Sequence, residues 1–190
     1  MILSPGNSEE RLSRRLRGGD SAALQEFYSL YGDYLAGICS RYVTDRDDMQ
    51  DVFQDCLVKV MTKIGSFEYR GPGSLLAWAK RIVVNRSLDF LKSCKRHEFT
   101  RLDRDIEDEA EEDDPPIRDI PPEVIHRMVS ELPTGYRTVF NLYVFEDRSH
   151  KEIAQLLGIK PDSSASQLCK AKNMLARKIK EYYGQTGQGR

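Results

Sequence analysis

Apolar residues recur at spacings of three and four along most of this chain, the mark of helices that bury one face. Leu24, Phe27, Tyr28, Tyr31, Leu35, Ile38 and Tyr42 form one such stripe, and Asp20, just after Gly18-Gly19, is placed to cap its helix. The stretch DRDDMQDVFQDCLVKVMTKIGSF predicts a second helix. Its early acids suit the helix dipole, and Val52, Phe53, Cys56, Leu57 and Val60 make its inner face. Two glycines and a proline in EYRGPGS then break the pattern. A further helix is expected from about Leu75 to Lys95, with Trp78, Ile82 and Asn85 on one face. Lys80, Arg81, Arg86, Lys92, Lys95 and Arg96 lie on or near its other faces. Trp78, at helical spacing from Ile82, reads as core rather than as a stacking platform.

In the second half, Pro122 is placed at the first position of a helix running through EVIHRMVSEL. Thr134 is placed to cap another, GYRTVFNLYVFED. Ser149 and Glu152 have the spacing of a capping box for a third, which Gly158 ends. The last helix is expected from about Asp162 to Tyr183, with GQTGQGR a frayed tail. No strand-type alternation occurs anywhere. The expected fold is all-α: two small helical domains, 20–96 and 121–183, joined by an acidic flexible linker at 97–120. Residues 1–19 are expected to be a flexible N-terminal segment and 184–190 a tail.

Charge sharpens the division. The chain of 190 residues has a net charge of −1, but DRDIEDEAEEDDPPIRD (103–119) holds ten acids and two arginines, a net of −8. The remainder therefore carries +7, spread over both lobes. The acidic strap is too poor in apolar residues to fold alone, and Pro115-Pro116 and Pro121-Pro122 punctuate its end. No stretch approaches the roughly 18 consecutive apolar residues of a membrane span, and the N-terminus lacks the apolar run of a signal peptide. Cys39, Cys56, Cys94 and Cys169 are scattered through helical patterns, which favours reduced, buried thiols in a cytoplasmic protein. Cys94 and His97 form a lone CxxH, and structural zinc takes about four ligands, so no metal and no cofactor are expected.

The segment SHKEIAQLLGIKPDSSASQLCKAK (149–172) has the parts of a helix-turn-helix. Ala154 is small enough for the crossing of the two helices, Gly158 tolerates the turn, and Ile153, Leu157 and Ile159 supply packing. Leu168, Ala171 and Leu175 continue the inner face of the second helix. Ser163, Ser166, Gln167 and Lys170 are then assigned to its outer face for DNA contact. Gln167 is the strongest candidate for a base contact, because an amide can bond adenine bidentately.

LPTGYRTVFNLYVFEDRSHKEIAQLLGI resembles the C-terminal domain of bacterial sigma factors, in particular the extracytoplasmic-function (ECF) group. The resemblance extends to the first half. DMQDVFQDCLVKV is similar to the family's core-binding helix through Asp48, Asp51, Gln54, Asp55 and Lys59. SLLAWAKRIVVNRSLDFLK is similar to its basic helix through Trp78, Ile82, Asn85 and Asp89. It covers about residues 20–96 and 121–181. The recognition helix SSASQLCKAK departs from the family, lacking a β-branched residue at Ser164 and basic residues at Ala165 and Gln167.

The resemblance implies a dissociable subunit that gives RNA polymerase its promoter specificity. The N-terminal domain would bind the β′ subunit through Asp51, Gln54 and Asp55, and would melt and capture the −10 element. Phe67, Tyr69, Arg70, Lys80, Arg81, Asn85 and Arg86 would contact that DNA. The C-terminal domain would dock on the β subunit and read the −35 element. The linker would thread the polymerase's nucleic-acid path. The resemblance also raises an anti-sigma factor as a partner. The competing reading is a standalone helix-turn-helix regulator, against which the matches in 48–60 and 74–92 speak. A metal-dependent hydrolase built on Asp47, Asp48, Asp51 and Asp55 lacks histidines at ligand spacing and any nucleophile motif, so no enzymatic activity is expected.

Overall fold

The computed structural model describes residues 5–94 and 120–186, and the chain divides into two compact units near Leu91. All the regular structure among the described residues is helical. Most of the 97–120 linker, along with Lys95, Arg96 and His97, lies outside the described residues.

The first unit holds α1 (Pro5–Arg17), α2 (Ser21–Tyr42), α3 (Arg46–Lys63), a single 3-10 turn (Ile64–Ser66) and α4 (Ser74–Cys94). Asp20 caps α2, its carboxylate accepting from the Ala22 and Ala23 amides. Asp45 does the same for α3 through the Asp47 and Asp48 amides. The core is built from Phe27, Leu35, Ile38 and Tyr42 of α2, Val52, Cys56 and Val60 of α3, and Leu75, Ala79, Val83 and Leu88 of α4.

Two expectations fail here. The N-terminal segment expected to be flexible is instead mostly helix α1. Leu12 and Leu16, one turn apart, are both only 1% exposed, so burial of this two-residue stripe holds the helix on the unit. The Arg15 guanidinium then pairs with Asp20 (2.8 Å) and Glu26 (2.5 Å), fastening the end of α1 to the start of α2. Tyr28, assigned to the buried stripe of α2, is exposed. It stands one residue off the face centred on Phe27 and Leu35.

The second unit holds α5 (Pro122–Ser130), α6 (Thr134–Val144), α7 (His150–Leu157) and α8 (Pro161–Thr186). Pro122 sits in the first turn of α5 as expected. Thr134 does not cap α6: Pro133 occupies the cap position, and Thr134 is the first helical residue, its carbonyl accepting from the Thr138 hydroxyl at 2.7 Å. The Ser149–Glu152 capping box forms, and Gly158 ends α7 in the left-handed conformation (φ 71°). Helix α8 continues through Gly184 to Thr186, three residues into the expected tail. Leu132, Tyr136 and Ala171 form one apolar cluster and Ile120, Met128 and Ile179 another, with Leu175 packed against both. Arg137, buried in α6, donates from Nη1 to the Leu132 carbonyl (2.8 Å) and the Ser130 carbonyl (3.1 Å), satisfying the C-terminal end of α5.

Of the four thiols, Cys39 and Cys56 are buried and Cys94 and Cys169 are exposed, all unbridged. Burial pushes the Cys56 thiol up to about 12 and raises Cys39 as well. The expectation of buried thiols holds for half of them.

Candidate nucleic-acid interface

Between the 3-10 turn and α4, the loop 67–73 borders an open cavity of about 480 Å³. Its walls are Ser66, Phe67, Glu68, Arg70, Ser74, Ala77, Trp78 and Arg81. The rings of Phe67 and Trp78 lie 5.3 Å apart at 50°. Phe67 is only 4% exposed, so it backs the cavity rather than meeting DNA as expected. Trp78 is half-buried and lines the cavity wall, not the core to which its spacing assigned it. Arg70 and Arg81 are exposed at the cavity's edge, and Tyr69 is half-buried beside them in sequence. Gly71 (φ 124°) and Gly73 (φ 83°) adopt backbone conformations that L side chains rarely take, which is why this turn needs both glycines.

Along α4, Lys80 is half-buried and Arg81 and Asn85 are exposed. Arg86 differs from the expected phosphate contact. Its Nη2 and Nε donate to one carboxylate oxygen of Asp55 at 2.5 and 3.1 Å. The cation assigned to DNA and the acid assigned to polymerase thus engage each other across α3 and α4. Asp51 and Gln54 stay exposed on α3, with Val58 one turn beyond at 62% exposure.

In the helix-turn-helix, Ile153, Ala154 and Leu157 of α7 face inward with Leu168 and Ala171 of α8. Ser166 is exposed, and Ser163 and Lys170 are half-buried. Gln167 is the main correction: at 1% exposure it belongs to the buried face, one turn from Ser164 and Ala171. Ser164 is itself fully buried and pairs with His150 Nδ1 at 3.0 Å, while the His150 ring stacks on Tyr143 at 4.9 Å. That polar pairing replaces the β-branched packing expected at this position. The outward stripe of α8 consists of Asp162, Ala165, Ser166, Cys169 and Lys172. Cys169, expected to be a buried thiol, and Lys172 are outside the expected contact set, although their spacing from Ser166 and Ala165 puts them on this stripe.

The Glu152 carboxylate accepts from the Ser149 amide (2.9 Å), the Ser149 hydroxyl (2.8 Å) and Arg148 (2.9 Å). These bonds, those from Ser149 first, hold it down to about 2.

Comparison with known proteins bears on both units. The family profile described as Sigma-70 region 2 matches residues 27–97, and that described as Sigma-70, region 4 matches 123–175. The ECF RNA polymerase sigma-E factor of Haemophilus influenzae is 27% identical over 183 residues, covering 90% of this chain and 95% of its own. The RNA polymerase sigma-H factor of Pseudomonas aeruginosa is 24% identical over 182 residues, with 90% and 93% covered. The chain belongs to the ECF group of the sigma-70 family. It is a sigma factor that directs promoter recognition for transcription initiation. A solved chain described as CnrH in complex with the cytosolic domain of CnrY aligns over 90% of this chain and 96% of its own, at 21% identity and a TM-score of 0.47.

Each unit of this sigma factor also carries an apolar groove. In the first, Leu24, Tyr28, Leu57, Val58 and Met61 line about 460 Å³ between α2 and α3. In the second, Ile125, Met128, Phe140, Val144, Phe145 and Ile179 line about 320 Å³. Among the described residues, no group of three or more His, Cys, Asp and Glu could hold a metal ion, and no helix is long and apolar enough to cross a membrane.

Proposed function

We propose that the first unit captures the melted −10 element in the cavity under loop 67–73 while the second reads the −35 element with α8. The observation that carries this reading is the cavity itself. Trp78 offers a stacking face, Phe67 backs it, and Arg70 and Arg81 stand where phosphates of an unpaired strand would pass. Tyr69, Lys80 and Asn85 belong to the same proposed surface. Arg86 is withdrawn from it, because its guanidinium is held by Asp55.

Core polymerase is the proposed assembly partner. Asp51 and Gln54, with Val58 and the apolar groove beside it, form the surface proposed for β′. The second groove, edged by the exposed Val144 and Phe145, suits an amphipathic segment of β. On α8, Ser163, Ser166 and Lys170 remain proposed DNA contacts, joined by Cys169 and Lys172. An anti-sigma factor is a further proposed partner on the family resemblance alone. The cytoplasm, where polymerase and promoter meet, is the proposed site of action.

Substituting Trp78→Ala or Arg81→Ala in the reconstituted holoenzyme tests the cavity. Base–aromatic stacking is worth about 1–3 kcal/mol, so Trp78→Ala should reduce permanganate-reactive open complexes by roughly tenfold or more. Closed-complex binding should persist. Open complexes at the wild-type level with Trp78→Ala would remove the cavity from the mechanism.

A further inference from the structure

Helix α1 reaches the cavity loop at two points, Glu9 and Arg17. Glu9 is buried, and its carboxylate accepts from the Gly73 amide at 2.5 Å and the Leu75 amide at 2.6 Å. These amides belong to the turn that starts α4, so a side chain more than sixty residues away supplies the cap. At the C-terminal end of α1, Arg17 Nη2 donates to the Phe67 carbonyl at 2.6 Å. Between these anchors the loop holds the Arg70 amide to Ser74 Oγ at 3.3 Å, the Ser74 amide to the Gly71 carbonyl at 3.2 Å, and an exposed Arg70–Glu68 ion pair at 3.3 Å. Gly71 and Gly73 widen the conformations open to it. Left to itself, such a loop would visit many shapes. Burial, with the carboxylates of Glu9 and Glu10, also raises the Tyr69 phenol above its ordinary value.

We propose that α1 is a brace that pre-forms the base-capturing loop, with Glu9 the positioning residue for capture of the melted −10 strand. The proposal rests on the reading that the cavity takes an unpaired base. Its physical content is preorganisation. A loop already held in its binding shape loses less entropy on capture, and a defined cavity discriminates among bases where a fluctuating one does not. Glu9 and Arg17 need touch no DNA for this.

The test uses holoenzyme reconstituted from core polymerase and wild-type, Glu9→Gln, Glu9→Ala or Arg17→Gln chain. Each is titrated with single-stranded −10 oligonucleotides from a promoter the wild-type enzyme uses, carrying each of the four bases at each position. Duplex containing only the upstream element is the control, and thermal melting checks the fold. The Glu9 variants should bind the preferred strand roughly tenfold more weakly, the factor that about 1.4 kcal/mol produces. Their base preference should flatten at one position, with duplex binding unchanged. A purely structural role would instead lower melting temperature and both affinities together. Should Glu9→Ala fail to fold, Arg17→Gln, which alters only an exposed anchor, must show the same flattened preference. Folded Glu9→Gln and Arg17→Gln chains with wild-type single-strand affinity and preference would overturn the brace while leaving the cavity reading intact. A wild-type holoenzyme with no base preference on the single strand would overturn both.

Discussion

His150 joins three helices of the DNA-reading unit: it opens α7, stacks on Tyr143 of α6 and pairs with the buried Ser164 of α8. A buried hydroxyl without a partner would cost about 1–3 kcal/mol, so the imidazole is what makes serine tolerable there. Gln167 lies on the same inward stripe, one turn further along. Buried there, it packs inside the unit instead of standing on the outward face. Gln167→Ala should destabilise the chain by about 1–3 kcal/mol, through the packing lost when a fully buried side chain is truncated. It should leave the base profile of selected upstream elements intact. Ser166→Ala and Lys170→Ala should do the opposite, changing DNA affinity with little effect on unfolding. Denaturant melts together with promoter-library selection separate the two classes. The misassignment has a plain cause. Polarity suggested that Gln167 faces out, whereas the register of Leu168, Ala171 and Leu175 already drew the neighbouring stripe Ser164–Gln167–Ala171 inward.

Among the elements, α7 shows how a short helix is held at both ends. Eight residues are too few for a helix to persist alone, so the Ser149–Glu152 box and the left-handed Gly158 matter to its existence. The Glu152 carboxyl, ordinarily at 4.5, is held down to about 2. A lowered acid contributes stability that is complete above its unfolded value and is lost as pH falls through the folded value. Melting temperatures of wild type and Glu152→Gln should therefore differ near pH 6 and converge as pH falls from 4.5 toward 2. A constant gap over that range would assign the effect to packing instead. Ser149→Ala should cost about 1 kcal/mol, as typical caps do. These caps were legible in the sequence because capping is local chemistry at fixed spacing. The same is true of the Asp20 cap and of Pro122. Helix α1 and the Glu9 bridge were not legible. A two-leucine stripe in a polar segment is a weak periodic signal, and a cap supplied from more than sixty residues away leaves no local trace. The cavity was half legible: Gly71, Pro72 and Gly73 marked the loop, but only the fold decides that Trp78 and a nearly fully buried Phe67 both line it.

For the whole molecule, charge resolves why a protein that faces DNA is slightly acidic. The −8 of residues 103–119 masks +7 on the rest of the chain. Surfaces meant for phosphate can stay basic while the strap between the units stays acidic. If the strap acts inside polymerase as a mimic of nucleic acid, replacing the acids of 107–114 with serine or glutamine should slow initiation or promoter escape. Core binding should be nearly unchanged in a pull-down. Wild-type initiation and escape with a neutral strap of equal length would reduce it to a spacer. Together, two small helical units on one chain redirect polymerase to particular promoters. Core polymerase with and without the full chain, transcribing a pool of genomic fragments with start sites sequenced, tests this most directly. Adding the chain should create discrete new start sites that share two upstream elements at fixed spacing. An identical distribution of start sites with and without it would mean that the chain redirects no polymerase.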